Sequence, residues 1–254
     1  MPAPIINRRD IEFFLYEMFD VESLTSRERY KDHDKETFNA AIDIGQAVAE
    51  KYFLPIRQKV DANEPTFDGE KVQMIPEIKV ALDAVVNAGL TCPTSDYEMG
   101  GMQLPLVAAS GAFAYLSAVA STTLGYISLT HANCNLIESH GTPEQIEKWV
   151  RPMREGRFAG TMAMTEPGAG SGLADLTTTA IKNEDGDYRL TGNKIYISGG
   201  DHDLNENIIH LVLARIKGAP KGIKGISLFI VPKFLVNNDS SIGQRNEVAL
   251  AGLF

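Results

Sequence analysis

The chain has 254 residues, with 44% hydrophobic and 22% charged side chains, enough for one large or two smaller globular domains with a real core. Its formal charge of −9 argues against nucleic acid or an anionic membrane surface as a partner, and an anionic ligand would need a local cluster of donors or basic groups. The two cysteines, Cys92 and Cys134, are far apart and form no CxxC, so neither a disulfide framework nor a zinc site is implied, and no apolar run reaches the roughly 20 residues that span a bilayer.

The N-terminus, MPAPIINRRDIEFFLYEMFD, carries Arg8 and Arg9 followed by acidic residues among apolar ones. It lacks the apolar centre and cleavage site of a signal peptide and the acid-poor bias of a transit peptide, so it reads as mature sequence of a cytoplasmic bacterial protein. DIEFFLYEMF has helical spacing. ETFNAAIDIGQAVAEKYFLPIRQKV places Phe38, Ile42, Ile44, Val48, Phe53 and Ile56 on or near one broad face. VQMIPEIKVALDAVVNAGL repeats the pattern and stops at Gly89. Leu104 to about Ile137 is apolar on most sides and rich in small residues, which predicts a central buried helix pair, with Gly111 and Gly125 allowing close packing or a break. GTPEQIEKWV then opens a short helix, with Thr142 as N-cap, Pro143 at the first helical position and Gln145 three after the cap.

The period changes after Arg157. FAGTMAMT, TTTAIKN, YRLTGNKIYIS, IIHLVLARI and KGISLFIVPK are short runs rich in Thr, Ile, Val and Tyr, separated by the turn signals NEDGD, SGGDHD and KGAPKG. They predict an antiparallel sheet or small barrel. The expected architecture is therefore α+β: an all-helical domain over 1–156 and an antiparallel β-barrel-like domain over 157–254. The last residues, Ala-Gly-Leu-Phe254, form an apolar stub that predicts further chain beyond it.

MAMTEPGAGSG (162–172) follows an apolar run. Gly168, Gly170 and Gly172 let a flat ligand approach the main chain, Thr165 and Ser171 supply hydroxyls, and Pro167 stiffens the exit from the strand. The segment is not GxGxxG, GxxxxGK[ST] or GxSxG, which removes the common dinucleotide, P-loop and esterase readings, and an ordinary surface turn stays open as an equal alternative. In NKIYISGG (193–200), strand alternation would put Tyr196 and Ser198 on one face, suited to a planar heteroaromatic ligand; a half-buried barrel strand is the other reading. His131 and His140 read as helix packing and a helix–loop junction, His202 as a turn residue and His210 as a strand residue. No histidine pair has metal-ligand spacing.

Taken in order and spacing, these segments resemble the acyl-CoA dehydrogenase family. SDYEMGGMQLP (95–105) resembles its "P.eyGG.glp" segment, HGTPEQIEKWVRPMREGRFAGTMAMTEPGAGSG (140–172) its "hGteeqk..ylp.l..G...g..a.TEp.aGSD" run, and GNKIYISGG (192–200) its "G.K.wItng". GQRNEVALAGL resembles the stretch before the family's C-terminal domain. The long N-terminal extension and the SGGDHDL turn are similar to the subgroup of 3-methylmercaptopropionyl-CoA and long-chain acyl-CoA dehydrogenases.

The resemblance implies a helical N-terminal domain and a middle β-barrel, with the family's C-terminal four-helix domain missing from this sequence. It implies FAD-dependent α,β-dehydrogenation of an acyl-CoA thioester to the trans-2-enoyl-CoA, in fatty-acid or related acyl-CoA catabolism. A glutamate takes the α-proton, the β-hydrogen leaves as hydride to the flavin, and electrons pass to electron-transfer flavoprotein. By position, Met162, Ala163, Met164, Thr165, Gly170 and Ser171 would contact the flavin, with Ser171 also on the CoA arm of the substrate. Tyr196 stands where the family usually has Trp, Ser198 where it has Thr, with Ile197 between them; these too would line the flavin. Gly172 replaces the usual Asp. The family's catalytic base and the rest of its site belong to the C-terminal domain and a subunit interface. No catalytic residue is therefore expected in this chain, Glu166 included. The expectation is a portion, inactive alone, of a homodimer or higher homo-oligomer. An acyl-CoA oxidase or flavin monooxygenase on the same scaffold, or a non-catalytic fragment, remain alternatives.

Overall fold

The computed structural model describes residues 5–237 and 239–253; residues 1–4 of the expected mature N-terminus and Phe254 of the apolar stub lie outside the described residues. Helix α1 (Arg8–Glu12) is capped by the Asn7 side chain, which accepts from the Arg9 N–H, and continues as a π-helical turn, Phe13–Met18. Helix α2 (Lys35–Val48) opens with a reciprocal capping box between Asp34 and Thr37. It buries Phe38, Ala41, Ile42, Gly45 and Val48. Ile44, expected near the same face, is exposed, because two residues after Ile42 the helix has turned by about 200°. A π-turn (Ala49–Phe53) and a 3-10 turn (Leu54–Ile56) carry the chain into α3 (Arg57–Ala62).

A two-stranded antiparallel hairpin, β1 (Thr66–Phe67) with β2 (Val72–Gln73), interrupts the helical half and has no counterpart in the sequence reading. Helix α4 (Glu77–Asn87) ends where Gly89 takes φ +72°, a left-handed value that costs a glycine little. The expected central pair is α5 (Leu106–Ala120) and α6 (Gly125–His140). α5 crosses α2 so closely that a Cβ on Gly45 would stand 2.4 Å from the carbonyl oxygen of Ala112. Gly45→Ala is therefore expected to lower stability by about 1–3 kcal/mol, read from urea or thermal unfolding, because two helix backbones must part to admit one methyl. Thr142 and Gln145 form the expected capping box at α7 (Pro143–Gln145), which runs through a π-turn (Ile146–Val150) into α8 (Arg151–Arg154).

The strands that follow are β3 (Phe158–Ala163), β4 (Thr179–Lys182), β5 (Tyr188–Thr191), β6 (Asn207–Ile216) and β7 (Ile226–Pro232), with a separate antiparallel pair, β8 (Phe234–Val236) and β9 (Ile242–Arg245). The long β6 carries β7 antiparallel along one edge and β3, then β4, along the other, both parallel to it. The antiparallel expectation is thus corrected to a mixed sheet. Its physical origin is the connection between β3 and β6: some forty residues of loop and hairpin return the chain to its starting end, where a tight turn would have reversed it. Among the described residues β5 pairs only with β4, and β7 only with β6.

Helix α6 fixes β3 in place. The Thr130 hydroxyl accepts from the Gly160 N–H at 2.9 Å, and Asn133 Nδ2 donates to the Thr161 carbonyl at 3.2 Å. Around these bonds Cys134, Ile137, Val150, Met153, Phe158, Ile209 and Leu211 form one apolar cluster, separate from the larger core of the helical half. His131 packs from α6 against the 91–94 loop, its Nδ1 3.0 Å from the Thr91 carbonyl. No helix among the described residues is long and apolar enough to cross a membrane.

Candidate functional site

The C-terminal end of β3 delivers the MAMTEPGAGSG segment to the surface. Met162 and Ala163 are the last ladder residues, opposite Leu211 and Val212. Beyond them the chain folds back in a tight loop. Glu166 and Ala169 exchange backbone hydrogen bonds at 2.8 and 3.1 Å, which places Pro167 and Gly168 at the tip. A Cβ on Gly168 or Gly170 would meet nothing within 4 Å, so this face of the loop is bare main chain open to a ligand.

The second segment does not form the expected strand. Residues 192–200 have no regular structure, and the same-face argument for Tyr196 and Ser198 fails with it. The reason lies in bonds that lead elsewhere. The Ile195 N–H donates to the Thr165 carbonyl at 2.9 Å, and Lys194 Nζ donates to the Met164 carbonyl at 3.0 Å and lies 2.8 Å from Glu166 Oε1. Tyr196 then takes φ +57°, a left-handed conformation that a bulky side chain rarely adopts, and the chain turns away through Gly199. Such strain persists where surrounding contacts impose it, and it concentrates at ligand sites. The two segments are therefore sewn together by backbone and by Lys194, not by ladder alternation.

The loop's anchor is Glu166. Its side chain is only 1% exposed. One carboxylate oxygen accepts from the Thr177 N–H and hydroxyl at 2.5 and 2.7 Å; the other accepts from the Thr178 N–H and hydroxyl at 3.0 and 2.5 Å. Burial alone would raise its pKa, but Lys194 and these four donors outweigh it and hold the group down at about 2. Lys194, Thr177 and Thr178 were not singled out from sequence. The available signal was Lys194 as the lone charge between Arg189 and Asp201, in a stretch otherwise apolar or neutral.

On this frame Met164 and Tyr196 stand outward, 40% and 68% exposed, with Thr165 half-buried between the segments and Ile197 partly covered. Ser198, Gly170 and Ser171 are exposed, and Ser171 leads into a 3-10 turn, Leu173–Asp175. The described residues thus bring Met164 and Thr165 against Lys194 and Ile195, while two of the expected flavin contacts lie inward: Ala163 is buried, and Met162 is half-buried against the apolar cluster under β3.

The chain matches two models of one family over most of its length: the acyl-CoA dehydrogenase N-terminal domain at residues 36–157 and the acyl-CoA dehydrogenase middle domain at residues 161–253. The chain belongs to the acyl-CoA dehydrogenase family. Its relatives include a butyryl-CoA dehydrogenase of Syntrophomonas wolfei, 35% identical over 250 residues, which cover 96% of this chain and 41% of the relative. They also include the 3-methylmercaptopropionyl-CoA dehydrogenase of Ruegeria pomeroyi, 32% identical over 252 residues, 99% of this chain and 42% of the relative. Among solved structures, butyryl-CoA dehydrogenase from Megasphaera elsdenii superposes with a TM-score of 0.63 at 25% identity, over 78% of this chain and 49% of that one. An acyl-CoA dehydrogenase of Bacillus anthracis, solved in complex with FAD, shares the fold at 24% identity with a TM-score of 0.61, over 80% of this chain and 32% of that one. The chain spans about two-fifths of the length of these two curated relatives.

Proposed function

We propose that these residues form the flavin-facing and CoA-facing walls of an FAD-dependent acyl-CoA dehydrogenase that makes a trans-2-enoyl-CoA. The observation that carries this reading is the sewn surface: bare main chain at Gly168 and Gly170 beside an outward Met164 and a strained, outward Tyr196. A planar ring fits such a surface, and a side chain at either glycine would stand in its way. Met164 and Thr165 would hold the ring by main chain and hydroxyl, Tyr196 and Ile197 would cover it, Ser198 would offer a second hydroxyl, and Ser171 would hold the CoA arm. FAD, when bound, supplies the hydride acceptor for the substrate's β-hydrogen.

Proton removal belongs elsewhere in this proposal. A carboxylate held at about 2 is a weak base at neutral pH, and every donor around Glu166 is committed to anchoring the loop. The base is placed on polypeptide outside these 254 residues, as part of a homo-oligomer with electron-transfer flavoprotein as acceptor. The test uses the full-length protein that contains these residues. It is expected to take up FAD, and anaerobic addition of an acyl-CoA is expected to bleach the flavin, with Thr165→Val weakening FAD about five-fold through one lost hydrogen bond of about 1 kcal/mol. Failure to take up FAD, or no bleaching across short- to long-chain acyl-CoA thioesters, would overturn the reading.

A further inference from the structure

Cys92 and Cys134 are distant in sequence, yet the fold brings them together. Cys134 lies on α6 three residues after His131, and residues three apart on a helix share a face. The His131 ring holds the loop that carries Cys92. Its Nδ1 lies 3.0 Å from the Thr91 carbonyl and its Nε2 3.4 Å from the Thr94 hydroxyl, so its contacts fall on either side of Cys92. Both thiols belong to the cluster under β3 and both are free; Cys134 is wholly covered and Cys92 is 4% exposed. Cys134 and His131 each hydrogen-bond the Cys92 sulfur. Nothing in the dehydrogenation proposed above uses either thiol.

The two sulfurs are not equivalent. A carbonyl only accepts, so His131 Nδ1 carries the proton that faces Thr91, and the lone pair of the neutral ring is at Nε2. The Cys134 thiol donating to it, together with His131 and Arg154, holds Cys92 below the ordinary thiol range against the effect of burial. The same bond, with burial and Glu138, pushes Cys134 up, and Arg154 only partly opposes this. The loop itself is fixed from two sides. Arg154 of α8 pairs with Glu138 and donates to the Met99 carbonyl, while Arg29 pairs with Asp96 and donates to the Thr94 carbonyl at 3.0 Å. Two thiols held this way are presented to each other without a backbone search.

We propose that Cys92 and Cys134 are a modification site, at which a small hydroperoxide makes a reversible disulfide that bolts the 91–95 loop to α6. His131 takes the Cys92 proton, and the thiolate attacks one peroxide oxygen and breaks the O–O bond. The other oxygen recovers that proton and leaves as water or an alcohol, and Cys92 becomes a sulfenic acid. The Cys134 sulfur then attacks the Cys92 sulfur. The S–O bond breaks, and the hydroxyl leaves as water with the Cys134 proton. The two thiols lose two electrons and the peroxide gains them. Burial fixes the order, because Cys92 alone has an opening for an oxidant. A dithiol reverses the bond by exchange, as suits a reducing compartment, where disulfides are transient.

The test treats the reduced full-length protein with hydrogen peroxide near neutral pH, blocks the remaining thiols with N-ethylmaleimide and digests without reductant. Mass spectrometry is expected to find the Cys92 and Cys134 peptides joined, two hydrogens lighter than the separate pair, and dithiothreitol is expected to part them. Cys134→Ala is expected to stop at a Cys92 sulfenic acid that dimedone traps, whereas Cys92→Ala leaves Cys134 unoxidised. His131→Gln, whose amide can still donate to the Thr91 carbonyl, is expected to slow the disulfide about ten-fold and to move its pH profile up toward that of an ordinary thiol. The native measurement involves no substitution, so it decides the matter whatever the variants' stability. Native protein that yields no joined peptide, or yields one only when unfolded in urea, overturns the inference. Oxidation of Cys134 before Cys92 overturns it too, and a His131→Gln rate and pH profile equal to the native ones overturn the step given to that ring.

Discussion

Lys194→Met is expected to lower stability by about 3–5 kcal/mol and to free the flavin-facing loop. The substitution leaves Glu166 as a buried carboxylate with no opposite charge, and breaking one side of such a pair costs far more than the pair contributes. Removing both charges, as Lys194→Met with Glu166→Gln, is expected to recover part of the loss: no buried charge remains and the Gln oxygen can still accept from Thr178, but its NH2 cannot accept from the Thr177 N–H as the carboxylate does. A double-mutant cycle by urea unfolding measures the coupling. The pH dependence has a definite sign. The Glu166 pKa falls from the ordinary 4.5 to about 2, so its contribution of about 3 kcal/mol is complete above pH 4.5 and is lost as pH falls toward 2. A Lys194→Met loss within about 0.5 kcal/mol would show that the loop is held by something other than this pair.

The same pair marks the limit of what one dimension of sequence reveals. Local chemistry was readable: the Thr142 capping box, the Gly89 stop and the central helix pair each depend on residues within a few positions of one another. The MAMTEPGAGSG loop was readable by residue type, and its order relative to KIYIS carried the family resemblance. Glu166 and Lys194, by contrast, are 28 residues apart, and no periodicity announces that they meet. Tyr-Ile-Ser looks like a strand by alternation, but Lys194 and Ile195 spend their hydrogen bonds on Met164, Thr165 and Glu166, and Tyr196 is turned into a left-handed conformation. Strand propensity reports fit to a pleated surface, and among the described residues no strand pairs with this segment. Strand direction was unreadable for a related reason: β3 and β6 are each buried along almost their whole length, a pattern that reads the same whichever way they run, and the long connection between them is what permits the parallel pairing.

Acidification is expected to destabilise the middle sheet well before Glu166 titrates. His202 and His210 are 1% and 5% exposed. His210 Nδ1 lies 2.7 Å from the Thr161 hydroxyl, and the His202 ring meets Tyr126 of α6 edge-on at 5.1 Å between centroids. Among the described residues the buried Nε2 of each ring has no hydrogen-bond partner, so a second proton would arrive with nothing to receive it. Burial pushes both rings down to about 4; Lys233 adds to the shift, while Asp201 opposes it but is itself engaged by Lys233 at 2.5 Å and Arg245 at 3.3 Å. The unfolded chain takes up these protons near pH 6.5, the folded protein only near 4. The contribution of these two rings is therefore constant above about pH 6.5 and falls between 6.5 and 4, by about 3 kcal/mol for each ring. The rings repel one another when charged, so the two steps are felt as one coupled titration totalling about 6 kcal/mol, a large part of the 5–15 kcal/mol that holds a typical domain. Urea midpoints measured from neutral pH down to about 4 read this directly. His210→Gln keeps a partner for Thr161 and removes one titrating ring, so it is expected to flatten the slope by about half, and His202→Gln to do the same. Native pH dependence in both variants would place the acid sensitivity outside this pair.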